Sequence, residues 1–520
     1  MHRTARASRD DRGNTSPALP RGTPRATPRG PKPSGLPLFA AGAARARHED
    51  GMVRNDYLTP AAAGKFAVFQ TPSHRSGLMA VFRKIERFAD PQTSRTPAQK
   101  EPDPPLGHDL IPGERYTSPE FAKLEWEKLW TKVWNMGCRE DDIANPGDYV
   151  VTELGDESIV LTRDEDGGVN AFYNVCSHRG NQVAYGECGH VKSFKCAYHL
   201  WEYNLKGQLV NVPDVETFQQ GAPCEKLSIR TLKCDTWGGF VWFNMFDDCE
   251  PLQEFLGMIP EHLDPYRFQD MAMVRDVTVE WNCNWKASVD AFNEAYHVLG
   301  THPQLATMLE DYDVQVDCYE RHNRYLIPFA CVTTHDPDGS QITPPLAGYA
   351  QSYGFDVDAY VKNGGDGLGL RRALQQHLRN NDKAMGYDFS QLNDDQLTDD
   401  YHYMIFPNIT LNIHCNSFML FRQRPHPTDP NKMFFDVQNY VLVPEGQPKP
   451  ERPQHTSFKY GEDTLGEVLD QDASNLGMVQ RGMNSRGFRG LWISHKELRV
   501  RHMHKTVDDY VYRSNVKWVK

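Results

Sequence analysis

"CSHRG" spans residues 176–180, and "CAYHLWEYNLKGQLVNVP" spans residues 196–213. The first holds Cys176-x-His178 and the second Cys196-x-x-His199, with seventeen residues between His178 and Cys196. Each pair adjoins a short apolar run, "VNAFYNV" for the first and "VKSFKC" for the second, so each belongs in a loop at a strand end. Two thiolates and two imidazoles from two short loops suit a zinc ion. They equally suit a [2Fe–2S] cluster with two Cys on one iron and two His on the other. One such pair alone would read as a surface His beside a core Cys, but two pairs at matching loop ends point to a metal. Cys188-x-His190 copies the first pattern, yet only five residues separate it from Cys196. A hairpin that tight cannot oppose the two loops, so Cys176 and His178 are preferred.

The texture around these loops is all-β. Between 139 and 250, runs such as "YVVTEL", "SIVLTR", "GQLVNVP" and "GGFVWFNM" alternate with Gly, Asp and Asn. Beyond 251 the pattern is mixed. "MVRDVTVEWNCNW" reads as a strand and "KASVDAFNEAYHVL" as a helix. Residues 318–400 read as irregular, a lid or variable insert. "YMIFPNITLNIHCNSFMLFRQRP" and "KMFFDVQNYVLVP" read as successive antiparallel strands, and "DTLGEVLDQDASNLGMVQRGM" as a long helix. Upstream, Thr117 and Glu120 resemble a capping box with Pro119 in the first turn, opening an amphipathic helix near 118–134.

A second constellation lies in "FNEAYHVLGTH", residues 292–302. His297 and His302 are five apart, which in a straight helix turns one about 140° from the other. Both can face one ion only if the helix ends between them, and Gly300 is the residue type that commonly closes helices.

The first constellation, with "HRG" after one pair and "YHLWEYNLKGQLVNVP" after the other, resembles a Rieske iron–sulfur domain. Together with "NWKASVDAFNEAYHVLGTHPQ" it is similar to the Rieske non-haem iron ring-hydroxylating oxygenases, alpha subunit, over roughly residues 105–520. Two departures stand in the cluster loop: Ala197 replaces a usual Pro, and Leu200 a usual Gly. The resemblance implies an α+β fold, with an all-β Rieske [2Fe–2S] domain and a helix-grip-like catalytic domain whose antiparallel sheet is flanked by helices. The expected organisation is a disordered or extended tail (1–105), an N-terminal helix packing on the catalytic domain (106–138), the Rieske domain (139–250) and the mononuclear iron domain (251–520).

It further implies Cys176, His178, Cys196 and His199 as cluster ligands, and His297, His302 and a distant carboxylate as ligands of a mononuclear Fe(II) with positions left open for O₂. Asp472 in "LDQDASNLGMVQRG" matches best, with Asn475 and Gln480 at family-like offsets; Asp470 is the runner-up. Glu294 is expected to bridge His297 to His199 of a neighbouring subunit, with Asp290 one turn earlier supporting the same network. Tyr296 reads as packing near the site. His502 and His504 read as part of a polar C-terminal helix or strand, not a third site.

The implied function is a terminal oxygenase fed by a reductase or ferredoxin, working as a head-to-tail homotrimer with or without a small beta subunit. The implied substrate is an aromatic or other hydrophobic ring compound, or alternatively a quaternary ammonium or methylated compound. A zinc-binding interaction module and a simple electron carrier are the competing classes.

Bulk properties fit. Net charge is −12, and residues 1–48 hold nine Arg and one Lys against Asp10 and Asp11. The remainder is therefore about −20, which argues against nucleic acid or anionic membrane as partner. No run approaches about 18 apolar residues. The basic, Pro-rich start reads as a disordered tail, as sequence upstream of a start at Met52 or Met79, or as a transit peptide. Eleven Cys without regular spacing read as reduced thiols of a cytoplasmic protein.

Overall fold

The structure, a computed structural model, describes residues 100–512. The readings of the basic start, Met52, Met79 and most of the tail fall on residues 1–99, outside the described residues.

Two sheets organise the chain, the first antiparallel and the second antiparallel except where Met271–Trp281 pairs parallel with Thr456–Lys459. The first has seven strands, in the order Asn135–Arg139, Phe240–Asn244, Thr231–Trp237, Val169–Tyr173, Glu157–Arg163, Asp148–Leu154 and Cys188–His190. It takes up the segment Asn135–Arg139, so it starts a few residues before 139. A small three-stranded sheet (Phe194–Lys195, Glu202–Tyr203, Leu209–Asn211) carries the second cluster loop. Phe172, Cys176, Phe194, Cys196, Trp201 and Tyr203 form a separate small core under both loops.

The second sheet has eight strands. Its centre is the meander Asp400–Ile405, Ile409–His414, Ser417–Pro425 and Met433–Leu442, whose last strand pairs along the eleven-residue strand Met271–Trp281. The alternation read in "YMIFPNITLNIHCNSFMLFRQRP" resolves into three of these strands. The long helix Glu467–Met483 and the C-terminal helix Leu498–Tyr512 are present as separate elements. The α+β architecture with a sheet flanked by helices is the one expected.

Residues 344–398 correct the irregular reading. They form four helices, Pro344–Ser352, Val357–Lys362, Gly367–Asn381 and Asp394–Thr398, each with a capping side chain, from Thr343, Asp356, Asp366 and Asn393 respectively. The Gly and Asp that suggested loops are the caps and turns between short helices. The buried Arg371 ties the last two together through Asp395 at 2.5 Å and Asp399 at 2.8 Å.

The N-terminal helix is also shifted. Ser118, not Thr117, is the cap; its Oγ accepts from the Phe121 N–H at 3.1 Å. Pro119 occupies the first helical position, which makes the residue before it the cap. The α-helix covers only Pro119–Glu125 and continues as a wider turn over Trp126–Trp130. It packs against the helix Trp285–Phe292: Trp130 meets Trp285 edge to face at 5.0 Å, and Glu125 pairs with Lys286 Nζ at 2.7 Å, both side chains buried.

Candidate functional site

The two cluster loops face each other. The rings of His178 and His199 lie 4.5 Å apart, and His178 stacks on Trp201 at 4.6 Å. Cys176 and Cys196 are both buried. Tyr203 Oη lies 3.1 Å from Cys176 Sγ and accepts the Ser177 N–H at 3.0 Å. Burial opposes a thiolate at Cys196, but the Tyr198 N–H, the Asn181 amide, Cys176 and the His199 N–H outweigh it and lower its pKa. His178 Nδ1 is buried with no hydrogen-bond partner. Paired buried thiols, opposed imidazoles and an orphaned ring nitrogen fit a group bound by two Cys and two His. Cys188 and His190 instead lie on the exposed edge strand, His190 Nδ1 bonded to Asp148 at 2.8 Å.

The departures in this loop have different consequences. Leu200 has φ of +60°, the left-handed region that glycine occupies without strain, and stays half exposed. Ala197 keeps an N–H that Pro would lack, and donates it to Tyr185 Oη at 3.3 Å.

The second constellation is built by a broken helix. The helix Trp285–Phe292 ends at Asn293, before either histidine. Glu294 Oε2 then accepts the His297 N–H at 3.0 Å, and a single turn, Val298–Thr301, follows. His297 and His302 are the boundary residues of that turn. Gly300 therefore does not close the helix as expected; it sits inside the turn without a positive φ. The break comes earlier because the Glu294 carboxylate supplies a local acceptor that competes with the helical pattern.

Three ligand-type atoms converge. Asp472 Oδ1, from the helix Glu467–Met483, lies 2.9 Å from His302 Nε2 and 3.7 Å from His297 Nε2. Among the described residues, these three side chains form the one His/Cys/Asp/Glu group whose ligand atoms all lie within 4.8 Å of one another. The opposite ring nitrogens are both occupied: His297 Nδ1 donates to Glu294 Oε1 at 2.6 Å and His302 Nδ1 to Gln471 Oε1 at 2.7 Å. Those bonds put the proton on Nδ1 and leave both Nε2 lone pairs for an ion. Burial disfavours a charged His297, but Glu294 and Asp472 outweigh it and raise its pKa. The donor set fits a two-histidine, one-carboxylate site.

Asp470 is turned elsewhere. Its carboxylate accepts the Leu465 N–H at 2.9 Å and the Thr464 hydroxyl, tying down the start of its own helix. Asn475 reaches Thr301 Oγ1 at 3.1 Å, and Gln480 Oε1 accepts the Asn284 N–H at 2.8 Å, so both hold the two helices in register.

Asp290 makes no direct hydrogen bond to Glu294 or His297 among the described residues. Its carboxylate bonds Tyr116 Oη at 2.5 Å and His504 Nε2 at 3.1 Å. His502 and His504 lie on the C-terminal helix Leu498–Tyr512 and are both buried, His502 against the Tyr319 carbonyl at 2.7 Å. Tyr296 is 60% exposed, so it is not packed into the site. Gln471 was missed by sequence reading, since only the fold places a residue adjacent to Asp472 against His302.

The comparisons agree with this geometry. The Rieske [2Fe-2S] domain profile matches residues 133–229, and the ring hydroxylating alpha subunit (catalytic domain) profile matches residues 268–513. The glycine betaine monooxygenase oxygenase subunit of Chromohalobacter salexigens is 29% identical over 209 residues, 40% of this chain and 46% of that protein. The benzene 1,2-dioxygenase subunit alpha of Pseudomonas putida is 31% identical over 202 residues, 37% of this chain and 44% of that protein. The chain thus spans about half the length of the curated relatives it matches. A solved quaternary ammonium Rieske monooxygenase, 20% identical, superposes with a TM-score of 0.57 over 79% of this chain and 99% of that one. One matched domain carries a [2Fe–2S] cluster, and the other is the catalytic domain of oxygenases that bind mononuclear iron. In order along one chain, the protein carries a Rieske [2Fe-2S] domain and the catalytic domain of a ring hydroxylating alpha subunit, with the Cys/His constellation inside the first and the His/Asp constellation inside the second.

Proposed function

We propose that the chain is the terminal oxygenase of a multicomponent system. In this reading it takes electrons from a reductase or ferredoxin and inserts oxygen from O₂ into an aromatic or other hydrophobic ring compound. The observation that carries it is the convergence of His297 Nε2 and His302 Nε2 on Asp472, in a chain that also opposes two Cys/His loops. Cys176, Cys196, His178 and His199 would hold the cluster, and His297, His302 and Asp472 the mononuclear iron. When bound, the cluster supplies single electrons and the iron a site for O₂ activation. The residues' own work is orientation. Glu294 and Gln471 fix both imidazoles, and Asp290, held by Tyr116 and His504, steadies the end of the helix before Glu294.

Glu294 is also the proposed bridge to His199 of a second copy in a head-to-tail trimer, with or without a small beta subunit. Heterologous interfaces of this kind close into rings. Supporting it, Tyr185, Tyr198 and Leu200 stand half exposed around His199, and Tyr296 and Leu299 stand exposed beside Glu294. A quaternary ammonium substrate is the second reading, supported by Glu at position 294 and by the glycine betaine relative. Among the described residues no helix is long and apolar enough to cross a membrane, and all eleven Cys are free, which supports a cytoplasmic setting.

The test is Asp472→Ala. The variant should lose the mononuclear iron and turnover while keeping cluster absorbance; full iron retention would refute the assignment. A protein containing zinc and no acid-labile sulfide would instead favour the interaction-module class.

A further inference from the structure

Arg499 is fully buried at the start of the C-terminal helix, yet forms no ion pair among the described residues. Its Nε donates to Asn323 Oδ1 at 2.6 Å, its Nη2 to His402 Nδ1 at 3.1 Å, and its guanidinium lies over the Tyr325 ring at 4.2 Å. Its Nη1 is buried with no partner. His402 Nε2 is in the same position, buried and unpartnered. Because His402 Nδ1 accepts from Arg499, the proton of the neutral ring sits on Nε2, so that atom is a donor as well. Two neighbouring side chains thus keep N–H groups in the interior, with the Tyr325 hydroxyl as a nearby acceptor for Arg499. A buried donor without an acceptor is costly, and a buried cation without an ion-pair partner more so.

Among the described residues the nearby Asp400 forms no ion pair with it. Burial pulls the Arg499 pKa down to about 10 despite Tyr325, Cys318 and Asp400 nearby. Asp400 is itself pushed up to about 8 by burial, so it is largely uncharged at neutral pH. His402 is held neutral by burial and by Arg499.

The cluster lies toward the iron site. Tyr325 and His402 are register partners on adjacent strands of the eight-stranded sheet and stack at 4.5 Å. Tyr325 in turn sits within the electrostatic reach of Glu294 and Asp472. A planar guanidinium with free N–H groups beside a second N–H donor is the arrangement that takes a carboxylate.

We propose that Arg499 Nη1 and His402 Nε2 form a carboxylate subsite beside the proposed iron site, so that the substrate is an organic acid anchored there while its reacting end lies at His297, His302 and Asp472. This rests on the iron-site reading above and narrows the substrate class within it. It is compatible with an aromatic acid and with a betaine, and it excludes a bare hydrocarbon as the best substrate.

The test uses the full-length holoenzyme and matched probes, benzoate against benzamide and glycine betaine against choline, with binding read by equilibrium dialysis. At least one carboxylate should bind with about thirty-fold or greater preference over its uncharged or carboxylate-free partner. That preference should vanish in Arg499→Met, the loss expected when a buried charge pair is broken. Arg499→Lys, which keeps the cation but not the fork, should retain part of the preference and guards against a misfolded Met variant. Cluster absorbance checks folding in each. No carboxylate preference in the wild type, or the same preference in Arg499→Met and Arg499→Lys as in the wild type, overturns the proposal. Iron content is measured separately: a holoenzyme that binds carboxylates but holds no mononuclear iron sinks the oxygenase reading, whereas iron without carboxylate preference sinks only this subsite.

Discussion

At the residue scale, the two imidazoles of the proposed iron site are supported unequally. His297 leans on an anionic carboxylate, Glu294, and His302 on a neutral amide, Gln471, itself oriented by Gln304 Nε2 at 2.9 Å. Partners of this kind fix ring orientation, and their loss typically weakens metal binding by about 10- to 100-fold. Gln471→Leu should therefore lower Fe(II) or Co(II) affinity by that order in a competition titration, with the cluster spectrum unchanged. Glu294→Gln keeps an acceptor for His297 but removes the charge proposed to face His199 of a second copy. It should retain both metals and slow cluster-to-iron electron transfer, measured by single-turnover oxidation of the reduced cluster; unchanged transfer would remove the bridge. Leu200 shows strain rather than support. Its left-handed backbone costs an L-residue roughly 1–2 kcal/mol. Leu200→Gly should therefore unfold later than Leu200→Ala by about 1 kcal/mol in thermal melts.

At the element scale, the helix Glu467–Met483 separates two aspartates with different work. Asp472 faces the histidines, and Asp470 bonds the chain just before its own helix. Asp470→Ala should keep the mononuclear iron and lose about 1 kcal/mol of stability, the typical worth of a helix-start acceptor; iron loss from this variant would move the ligand assignment. The long helix also explains why "LDQDASNLGMVQRG" was legible in part. Resemblance marked Asp472, with Asn475 and Gln480 at family-like offsets within one short stretch. It could not mark Gln471, whose partner His302 is 169 residues away. The break before His297 was mislocated for a related reason. Gly300 is a visible punctuation mark, whereas the Glu294 side chain acting on a backbone N–H leaves no compositional trace.

At the scale of the whole molecule, Asp436 joins the two sheets. Its carboxylate receives Arg422 Nε and Arg424 Nε, each at 2.7 Å, and Thr278 Oγ1 at 2.7 Å. The same arginines reach across to the carbonyls of Met136, Gly137 and Glu153. Burial works against a charge at Asp436, but Arg424 and Arg422 outweigh it and hold its carboxyl well below the usual range. A depressed folded pKa gives stability that is present above the unfolded value of about 3.9 and is lost as pH falls through the folded one. Asp436→Asn should cost about 3 kcal/mol at neutral pH, since it leaves two part-buried guanidinium groups facing a neutral amide. The gap in melting temperature between wild type and variant should narrow only below about pH 4; a constant gap down to pH 3 would contradict the assignment.

The sequence by itself determined the chemistry held in short segments. The Cys/His spacing, the two histidines of "FNEAYHVLGTH" and the strand alternation each depend on neighbours within a few residues, and period and spacing record such neighbours directly. Tertiary structure alone decided what depends on distant segments meeting. It set Asp472 beside both histidines, turned Asp470 to the start of its own helix and brought Gln471 to His302. It turned Asp290 toward Tyr116 and His504, making the tempting C-terminal histidines part of the interior, and it left Arg499 buried without a carboxylate. It also showed the supposed irregular insert to be capped helices, because Gly- and Asp-rich stretches read alike as loops or as caps until the helices between them pack. Buried polar groups are settled by which partners the fold supplies, and those partners lie hundreds of residues away in the chain.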